Sequence, residues 1–371
     1  MKKRLLAGLL AIAIMVCFCG VIAAGSAGSA SDPLISLTYL TGTFKDSLLS
    51  AVDTKISSAL DPVYNSAAGG ITVSDSTASP YSHAAQPQEF DLKYGDTITG
   101  VTGTMYMLLA GSGKLTYTGT AVIDITSGST VSSGTALTAA HRYLVAEDTS
   151  ATVTITQDTA VLQVEASYIP SYSYGTDYYA LTDALYKLGL FKGDGTSYGK
   201  GYALERTATR LEGLIMFIRL LGEEDAALAF TGSHPFSDVP AWAKAYVAYA
   251  YDKGYTNGVG GGKFGTNDTL TVQHYVTFIM RALGYSEGTD FTWSSAMDSA
   301  AELGVLTAGE KTAFSAEKFY RSKVAYLSFF TLSANVSGTD YNLLTKLINA
   351  GSVSGSTASS VMGSVSVSRI W

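Results

Sequence analysis

Cysteine, histidine and charged residues are scarce in this 371-residue chain. Both cysteines, Cys17 and Cys19, lie within the first thirty residues, so the rest of the sequence has no disulfide, no Cys nucleophile and no thiolate metal site. Charged residues make up 15% and the net charge is −7, which argues against nucleic acid as the main partner. No two histidines have the spacing of metal ligands; they are His83, His141, His234 and His274.

The first thirty residues have the layout of a secretory signal peptide. Three basic residues at positions 2–4 precede an apolar run over 5–24 and a stretch of small residues over 25–30. We expect cleavage; the alternative is an uncleaved anchor, because the run is long enough to span a bilayer. Val16 and Phe18 precede the cysteines where a lipoprotein needs a small residue, so lipidation is not expected. A second apolar run of about 20 residues does not follow, so nothing else is expected to span a membrane.

Before residue 178 the sequence predicts one helix and one β module. Residues 31–62 form an amphipathic segment that either packs on a neighbour or self-associates, and its apolar positions are Phe44, Leu48, Leu49, Val52, Ile56 and Leu60. Residues 63–88, rich in Ser, Ala, Gly and Pro, are predicted to be a linker. Over 89–168, β-forming runs recur about every ten residues, which predicts a small sandwich, barrel or β-solenoid. A second linker is predicted over 169–177.

From residue 178 the hydrophobic pattern becomes helical and repeats. Three pairs of helices are predicted, with first helices over 179–189, 243–254 and 294–304 and second helices over 209–222, 271–284 and 320–333. The repeats cover about 178–222, 236–285 and 291–336, and a period of this length predicts units that bury their faces against each other. Residues up to 351 add a trailing helix, and 352–371 form a Ser/Gly-rich tail. Fourteen basic residues lie in 178–336, which makes this segment the candidate for binding an anion.

The second helix of the first repeat opens with a capping box, Thr209 and Glu212. Capping explains these two residues, but it does not explain Arg210 between them. A guanidinium beside the free amides of a helix N-terminus is suited to a carboxylate. Arg210 is therefore either a ligand contact or a solvated or salt-bridged arginine.

The second repeat carries the motifs that identify a family. It reads Phe236, Ser237, Asp238, Val239, then a Gly-containing loop over 254–258, then Lys263 and Phe264, and finally a helix that ends in Arg-Ala-Leu-Gly. The first repeat adds Thr-Arg-x-Glu at 209–212, and the third adds an aromatic-Arg pair at 320–321. With these residues the chain resembles the S-layer homology family over about 160 residues.

The resemblance implies a three-repeat spindle of paired helices that binds an anionic, often pyruvylated, secondary cell-wall polysaccharide. The family's arginine corresponds to Arg210 and Arg321, its aspartate to Asp238 and its aromatic residue to Trp242, and Glu212 belongs to the same Thr-Arg-x-Glu motif. From the residues alone, Trp242 either packs or stacks on a sugar, and Asp238 either holds the loop as a structural residue or contacts the ligand.

Three departures from the family pattern predict fewer than three working grooves. Val272 replaces the arginine of the second repeat and His274 replaces its glutamate, while Lys323 stands where the third repeat should have an aspartate. We therefore expect the groove of the second repeat to have lost its charged contact.

The sequence as a whole predicts a multidomain α and β protein, secreted to the cell wall, non-catalytic and without a cofactor. Its expected partner is the wall polysaccharide, with self-association in a surface lattice as a further expectation. Two alternatives stay open: a surface-anchored adhesin or display protein, and a wall-tethered hydrolase. The hydrolase would need acid–base carboxylates within residues 89–168, where Glu89, Asp91 and Asp96 have no further support.

Overall fold

The computed structural model describes residues 44–52, 54–55, 80–316 and 318–371. The signal segment and most of the first predicted linker lie outside these residues. Residues 44–52 and 54–55 are helical, as the apolar spacing predicts, and Leu48, Leu49 and Val52 are exposed. They belong to a separate unit from Ser79–Trp371. Among the described residues, no helix is both long enough and apolar enough to cross a bilayer.

The first half of the larger unit is a nearly closed all-β module of ten strands. The strands are β1 (Ser82–Lys93), β2 (Thr97–Val101), β3 (Met105–Ala110), β4 (Gly113–Thr118), β5 (Val122–Asp124), β6 (Ser129–Val131), β7 (Thr135–Ala136), β8 (Arg142–Val145), β9 (Ser150–Ile155) and β10 (Thr159–Ser171). Side chains of β9 alternate strictly between half-buried and buried, the pattern expected when one face of a strand covers a core.

Strand β10 organises the module because it pairs with three others. The strand order is β6-β5-β8-β3-β10-β2-β9-β4-β7, and β1 pairs with β10 in addition. The first half of β10 pairs with β3 and its last residues pair with β2, both antiparallel. The hydroxyl of Tyr106 on β3 donates to the carbonyl of Ala151 on β9 at 2.9 Å. This hydrogen bond joins two strands that lie on opposite sides of β10 in the strand order. A Cβ on Gly100 would lie 2.5 Å from that hydroxyl, so a larger residue cannot pack there.

The observed strands extend beyond the predicted β module at both ends. Strand β1 begins at Ser82, within the predicted linker 63–88, and β10 ends at Ser171, within the predicted linker 169–177. Pro170, within the second predicted linker, lies in β10 and pairs in register with Ile98. A proline is tolerated in a strand where its missing N–H is not needed for the ladder.

The second half is helical. Its α-helices are α1 (Tyr178–Lys187), α2 (Arg210–Leu220), α3 (Glu224–Leu228), α4 (Lys244–Asp252), α5 (Val272–Ala282), α6 (Ala296–Glu302), α7 (Ala308–Ser315), α8 (Arg321–Thr331), α9 (Leu343–Asn349) and α10 (Gly355–Ser364), with 3₁₀ turns at Gly199–Gly201 and Ala241–Ala243. All six predicted repeat helices are present. Eleven of the twelve bounds lie one or two residues inside the predicted ones, because capping residues and terminal glycines lie outside the helix proper, and α1 begins one residue before its predicted start.

The β module packs directly on the helices. Val161 of β10 is fully buried within the helical core rather than the β core. The Gln157 amide donates to the carbonyl of Glu205 at 2.8 Å, and the backbone N–H of Gly199 donates to Glu89 Oε1 at 2.8 Å. The side chain of Lys323 lies 3.5 Å from Asp158. This lysine departs from the family pattern, and here it faces the β module.

The C-terminal residues contribute structure that the sequence does not predict. The segment 352–371, expected to be a tail, contains α10 and then returns to the helical core. Val365, Val367 and Ile370 pack against that core. Arg369 donates to the fully buried carboxylate of Glu310 at 2.7 and 2.8 Å.

Candidate functional site

A cavity of about 330 Å³ lies where four parts of the helical half meet. Helix α2 contributes its first residue, the loop after α4 contributes two, helix α5 contributes three, and the segment before α6 contributes one. The lining residues are Arg210, Gly258, Val259, His274, Thr277, Arg281 and Trp293. The α5 residues are spaced three and four apart, so they lie along one face of that helix.

Arg210 is fixed in this cavity by residues distant in sequence. Only 4% of it is exposed. Its Nε donates to the carbonyl of Phe264 at 2.9 Å, and Nη2 lies 3.4 Å from the hydroxyl of Thr256. The guanidinium also lies 5.1 and 5.0 Å from the ring centres of Phe264 and Phe278, within cation–π range. Burial, together with the charge of Arg281, lowers the pKa of Arg210 to about 10, so the group stays charged at neutral pH.

The predicted capping box explains the place of Arg210. Thr209 accepts from the N–H of Glu212 at 3.2 Å, and Glu212 accepts from the N–H of Thr209 at 2.8 Å. These bonds fix the first turn of α2 and leave the side chain of its first residue to point across to the next loop. A guanidinium has five N–H donors, and Phe264 and Thr256 take up two hydrogen bonds.

A second guanidinium and an imidazole complete the polar lining. Arg281 Nη1 donates to the carbonyl of Tyr255 at 2.9 Å, and its Nη2 pairs with Glu287. His274 holds the position in α5 that Glu212 holds in α2, and its Nδ1 faces the N–H of Thr271 at 3.4 Å. Burial and the charge of Arg210 lower the pKa of His274 to about 4, so the ring is neutral at pH 7.

Trp293 supplies an aromatic surface to the cavity. It is 51% exposed, and its ring centre lies 6.2 Å from that of His274. The side-chain amide of Gln273 donates to its carbonyl and fixes the backbone there. A half-exposed indole beside two guanidinium groups can cover the apolar face of a sugar ring while the cations bind its acidic substituent.

The candidate residues of the first two repeats have different places in the structure. Arg210 lines the cavity; Asp238 accepts backbone N–H groups from Phe264, Gly265 and Thr266 at 2.7–3.0 Å. Although burial opposes it, these bonds lower the pKa of Asp238. Asp238 thus fixes the loop whose carbonyl holds Arg210. Trp242 is 63% exposed and is not among the residues that line the cavity.

Arg321 occupies a position in α8 like that of Arg210 in α2. It is 3% exposed, its Nε donates to the carbonyl of Tyr202 at 3.1 Å, and its guanidinium lies 5.8 Å from the ring centre of Phe191. Burial and the charge of Arg206 lower its pKa to about 10. Ligand contact by Arg321, Glu212, Asp238 and Trp242 stays a prediction.

Four lining residues were missed from the sequence. His274 was interpreted as a loss of function, and Thr277, Arg281 and Trp293 were not considered as ligand contacts. A signal for three of them was present, since His274, Thr277 and Arg281 share one helical face beside the family's loop motif. Trp293 had no such signal, because its place in the cavity depends on the turn before α6. Among the described residues, no group of three or more His, Cys, Asp or Glu side chains could hold a metal ion.

Comparison with known proteins supports the resemblance. The S-layer homology domain family matches residues 235–271, which include Asp238, Thr256 and Phe264. A "Cell surface protein" of Thermoanaerobacter kivui is 34% identical over 106 residues, 28% of this chain and 14% of that protein. A "Middle cell wall protein" of Brevibacillus brevis is 32% identical over 122 residues, 32% of this chain and 11% of that protein. The matched region thus spans a small part of either relative.

One match among solved structures is coconut allergen cocosin, at 11% identity over 30% of this chain and 36% of that chain. Its TM-score of 0.15 is too low to support an argument about fold. The family resemblance drawn from residues 236–285 is confirmed over 235–271. Residues 235–271 therefore match an S-layer homology domain, and the matches to a cell surface protein and a cell wall protein support a location at the cell surface.

Proposed function

We propose that the chain anchors itself to the cell envelope by binding an anionic, pyruvylated wall polysaccharide in the cavity around Arg210. The observation that supports this most directly is the pair of buried or half-buried guanidinium groups, Arg210 and Arg281, in a cavity of about 330 Å³. A ketal-linked pyruvate is a compact carboxylate, and a guanidinium can bind both of its oxygens. S-layer homology domains generally bind cell-wall polysaccharides, which agrees with this ligand class.

Electrostatics favour a local rather than a global attraction. The chain has a net charge of −7, so an anionic polymer is repelled by the molecule as a whole. Arg210 has little exposure, and salt screens a buried contact less than a surface one. We therefore expect binding to survive raised salt with only partial loss.

The three-repeat spindle belongs to the same proposal. Helices α2, α5 and α8 each begin one residue after the predicted start of a second helix. Thr209 bridges to Thr269, and Thr207 bridges to Tyr320, so the segments that lead into these helices meet one another. This arrangement agrees with three related units around a common axis.

The first test is binding of the full chain to purified cell-wall sacculi. We expect the chain to sediment with untreated sacculi and to stay in solution with sacculi stripped of wall polysaccharide by hydrofluoric acid. Arg210→Met should weaken binding about ten- to a hundredfold, because a charge-assisted hydrogen bond is worth about 1.5–3 kcal/mol.

The charge-matched control is Lys187→Met, which removes an exposed cation at the end of α1, outside the cavity. This variant should sediment like the unmodified chain. Equal sedimentation with stripped and untreated sacculi would overturn the proposed ligand.

A further inference from the structure

The β module and the first repeat share an open cavity of about 810 Å³, which we call the junction cavity. Strand β1 contributes Glu89, helix α1 contributes Tyr186, and residues between Gly193 and Tyr202 form the rest of the lining. No described residue lines both this cavity and the Arg210 cavity. Small-molecule sites in proteins have volumes of roughly 300–1,000 Å³, so the junction cavity is large enough to hold a ligand.

The loop that forms one wall of the junction cavity is fixed by both halves of the unit. Gly199, Lys200 and Gly201 have φ angles of 58°, 55° and 74°, a left-handed run that two glycines make possible. The N–H of Gly199 donates to Oε1 of Glu89 on β1 at 2.8 Å. Lys200 donates to Asp183 on α1 at 2.7 Å. The wall is therefore held in place by contacts within the protein, without a ligand.

Three exposed polar groups in the lining have no hydrogen-bond partner among the described residues. They are the hydroxyls of Tyr186 and Ser197 and the second carboxylate oxygen, Oε2, of Glu89. The hydroxyls can donate and accept, whereas the carboxylate oxygen can only accept. A ligand that carries several hydroxyl groups can bind all three without breaking a hydrogen bond of the protein.

Tyr186 gives the junction cavity an aromatic face. The residue is 56% exposed, and its ring centre lies 5.9 Å from that of the buried Tyr202. Tyr202 is itself held in place, because its hydroxyl donates to Asp183 at 2.9 Å and its ring packs edge-on against Phe191. A supported and half-exposed ring can cover the apolar C–H face of a pyranose while its hydroxyl groups bind polar atoms nearby.

The charge in and around the junction cavity is negative. The ammonium group of Lys200 lies 2.7 Å from Asp183 and 3.9 Å from Asp91, so these carboxylates take up its charge. Glu89 forms no ion pair with any described residue. One cation thus stands among three carboxylates, and a ligand with a carboxylate of its own would be repelled.

We propose that the junction cavity binds an uncharged saccharide, which stacks on Tyr186 and forms hydrogen bonds with Glu89 and Ser197. The site differs from the Arg210 cavity in position and in charge, so the inference does not rest on the proposed function. Because Glu89 belongs to the β module and Tyr186 to the first repeat, the site requires the docked arrangement of the two. The β module then takes part in binding rather than serving as a display module alone.

The test begins with the full chain on an array of neutral, acidic and amino-sugar oligosaccharides, followed by calorimetric titration with the neutral oligosaccharide that binds best. Tyr186→Ala should weaken this binding about tenfold, because the sugar loses its stacking surface. Tyr186→Phe, which keeps the ring, should bind within about threefold of the unmodified chain. Tyr174→Ala is the matched control, because it removes a fully exposed tyrosine outside the cavity.

Glu89→Gln tests the role of charge separately from the shape of the site. The amide oxygen can still accept from Gly199, but the negative charge is gone, so acidic oligosaccharides should gain relative to neutral ones. An unchanged ratio would contradict the electrostatic part of the inference.

Other results would overturn the site itself. Binding of no neutral oligosaccharide, or of amino sugars alone, would show that the ligand class is wrong. Equal binding by Tyr186→Ala and Tyr174→Ala would show that the ligand lies elsewhere. Arg210→Met should bind the neutral oligosaccharide normally, and a loss as large as that in Tyr186→Ala would assign the sugar to the Arg210 cavity. Circular dichroism checks the fold of each variant, and Ser197→Ala, with an expected loss of about threefold, provides a second test if Tyr186→Ala does not fold.

Discussion

At the scale of single residues, the sequence predicts local contacts well and distant contacts poorly. The capping box of Thr209 and Glu212 was predicted from its spacing and is present. The surroundings of Arg210 were not, because Thr256 and Phe264 lie 46 and 54 residues away in sequence. Asp238 was assigned two open roles, and its hydrogen bonds favour the structural one. A motif fixes a residue type, whereas the partner of that residue depends on packing between elements.

Asp238→Ala should destabilise the chain and loosen Arg210. Three backbone N–H groups would lose a charged acceptor, and we expect a loss of about 2–4 kcal/mol in the free energy of unfolding at pH 7. Asp238→Asn, which keeps one acceptor oxygen, should lose less. Urea denaturation followed by circular dichroism measures both.

The pH dependence gives an independent check on Asp238. Its pKa is lowered in the folded state, so its contribution is present above the unfolded value and is lost as pH falls through the folded value. The difference between the unmodified chain and Asp238→Asn should therefore shrink in acid. A difference that is equal at pH 3 and pH 7 would contradict this account.

At the scale of elements, helices were predicted more accurately than strands. A helix shows its period and caps within its own sequence, so α2, α5 and α8 begin within one residue of their predicted start. The strands were recognised as a group, but the choice among sandwich, barrel and solenoid was left open. That choice depends on which strands pair, and the pairing of β10 with β1, β2 and β3 is not encoded in any local pattern.

One buried ion pair, between Arg369 and Glu310, holds the C-terminal segment against the helical core. Glu310 is the third residue of α7 and is fully buried, and it accepts from both Arg369 and the hydroxyl of Tyr326. Arg369→Met should cost about 3–5 kcal/mol of unfolding free energy, because it leaves a buried carboxylate without its cation.

A double variant separates the pair from general damage to the segment. Glu310→Gln combined with Arg369→Met should recover much of the loss, because it removes the unpaired charge as well. Thermal denaturation of the single and double variants measures the coupling. If the double variant is less stable than Arg369→Met alone, the ion pair does not explain how the segment is held.

At the scale of the whole molecule, the order of segments was predicted but the docking of the β module was not. The sequence predicted a linker over 169–177, whereas β10 continues to Ser171 and its Val161 lies in the helical core. The residues at this junction are polar and come from separate segments, so no periodic signal connects them. Glu89, Asp91, Asp183 and Glu205 gather there around Lys200, whose Nζ lies 2.7 Å from Asp183 and 3.9 Å from Asp91.

Asp91 should make this junction sensitive to pH. One of its carboxyl oxygens is buried without a hydrogen-bond partner among the described residues, and burial together with the neighbouring carboxylates raises its pKa to about 6, against the opposing charge of Lys200. A raised folded pKa means that the protonated form is favoured in the folded state. The stability it contributes is complete below about pH 4 and is lost as pH rises to about 6.

Asp91→Asn should therefore stabilise the full chain at neutral pH and have little effect in acid. A shift of about two pKa units corresponds to at most about 3 kcal/mol, and the partial exposure of Asp91 makes the expected gain about 1–2 kcal/mol at pH 7. Urea denaturation at pH 4, 5, 6 and 7 measures the difference between the two proteins. Asp183→Asn is the control, because Asp183 accepts from Lys200 and Tyr202 and its loss should destabilise the chain at pH 7. If Asp91→Asn is no more stable than the unmodified chain at pH 7, the ionised carboxylate of Asp91 does not destabilise the folded chain.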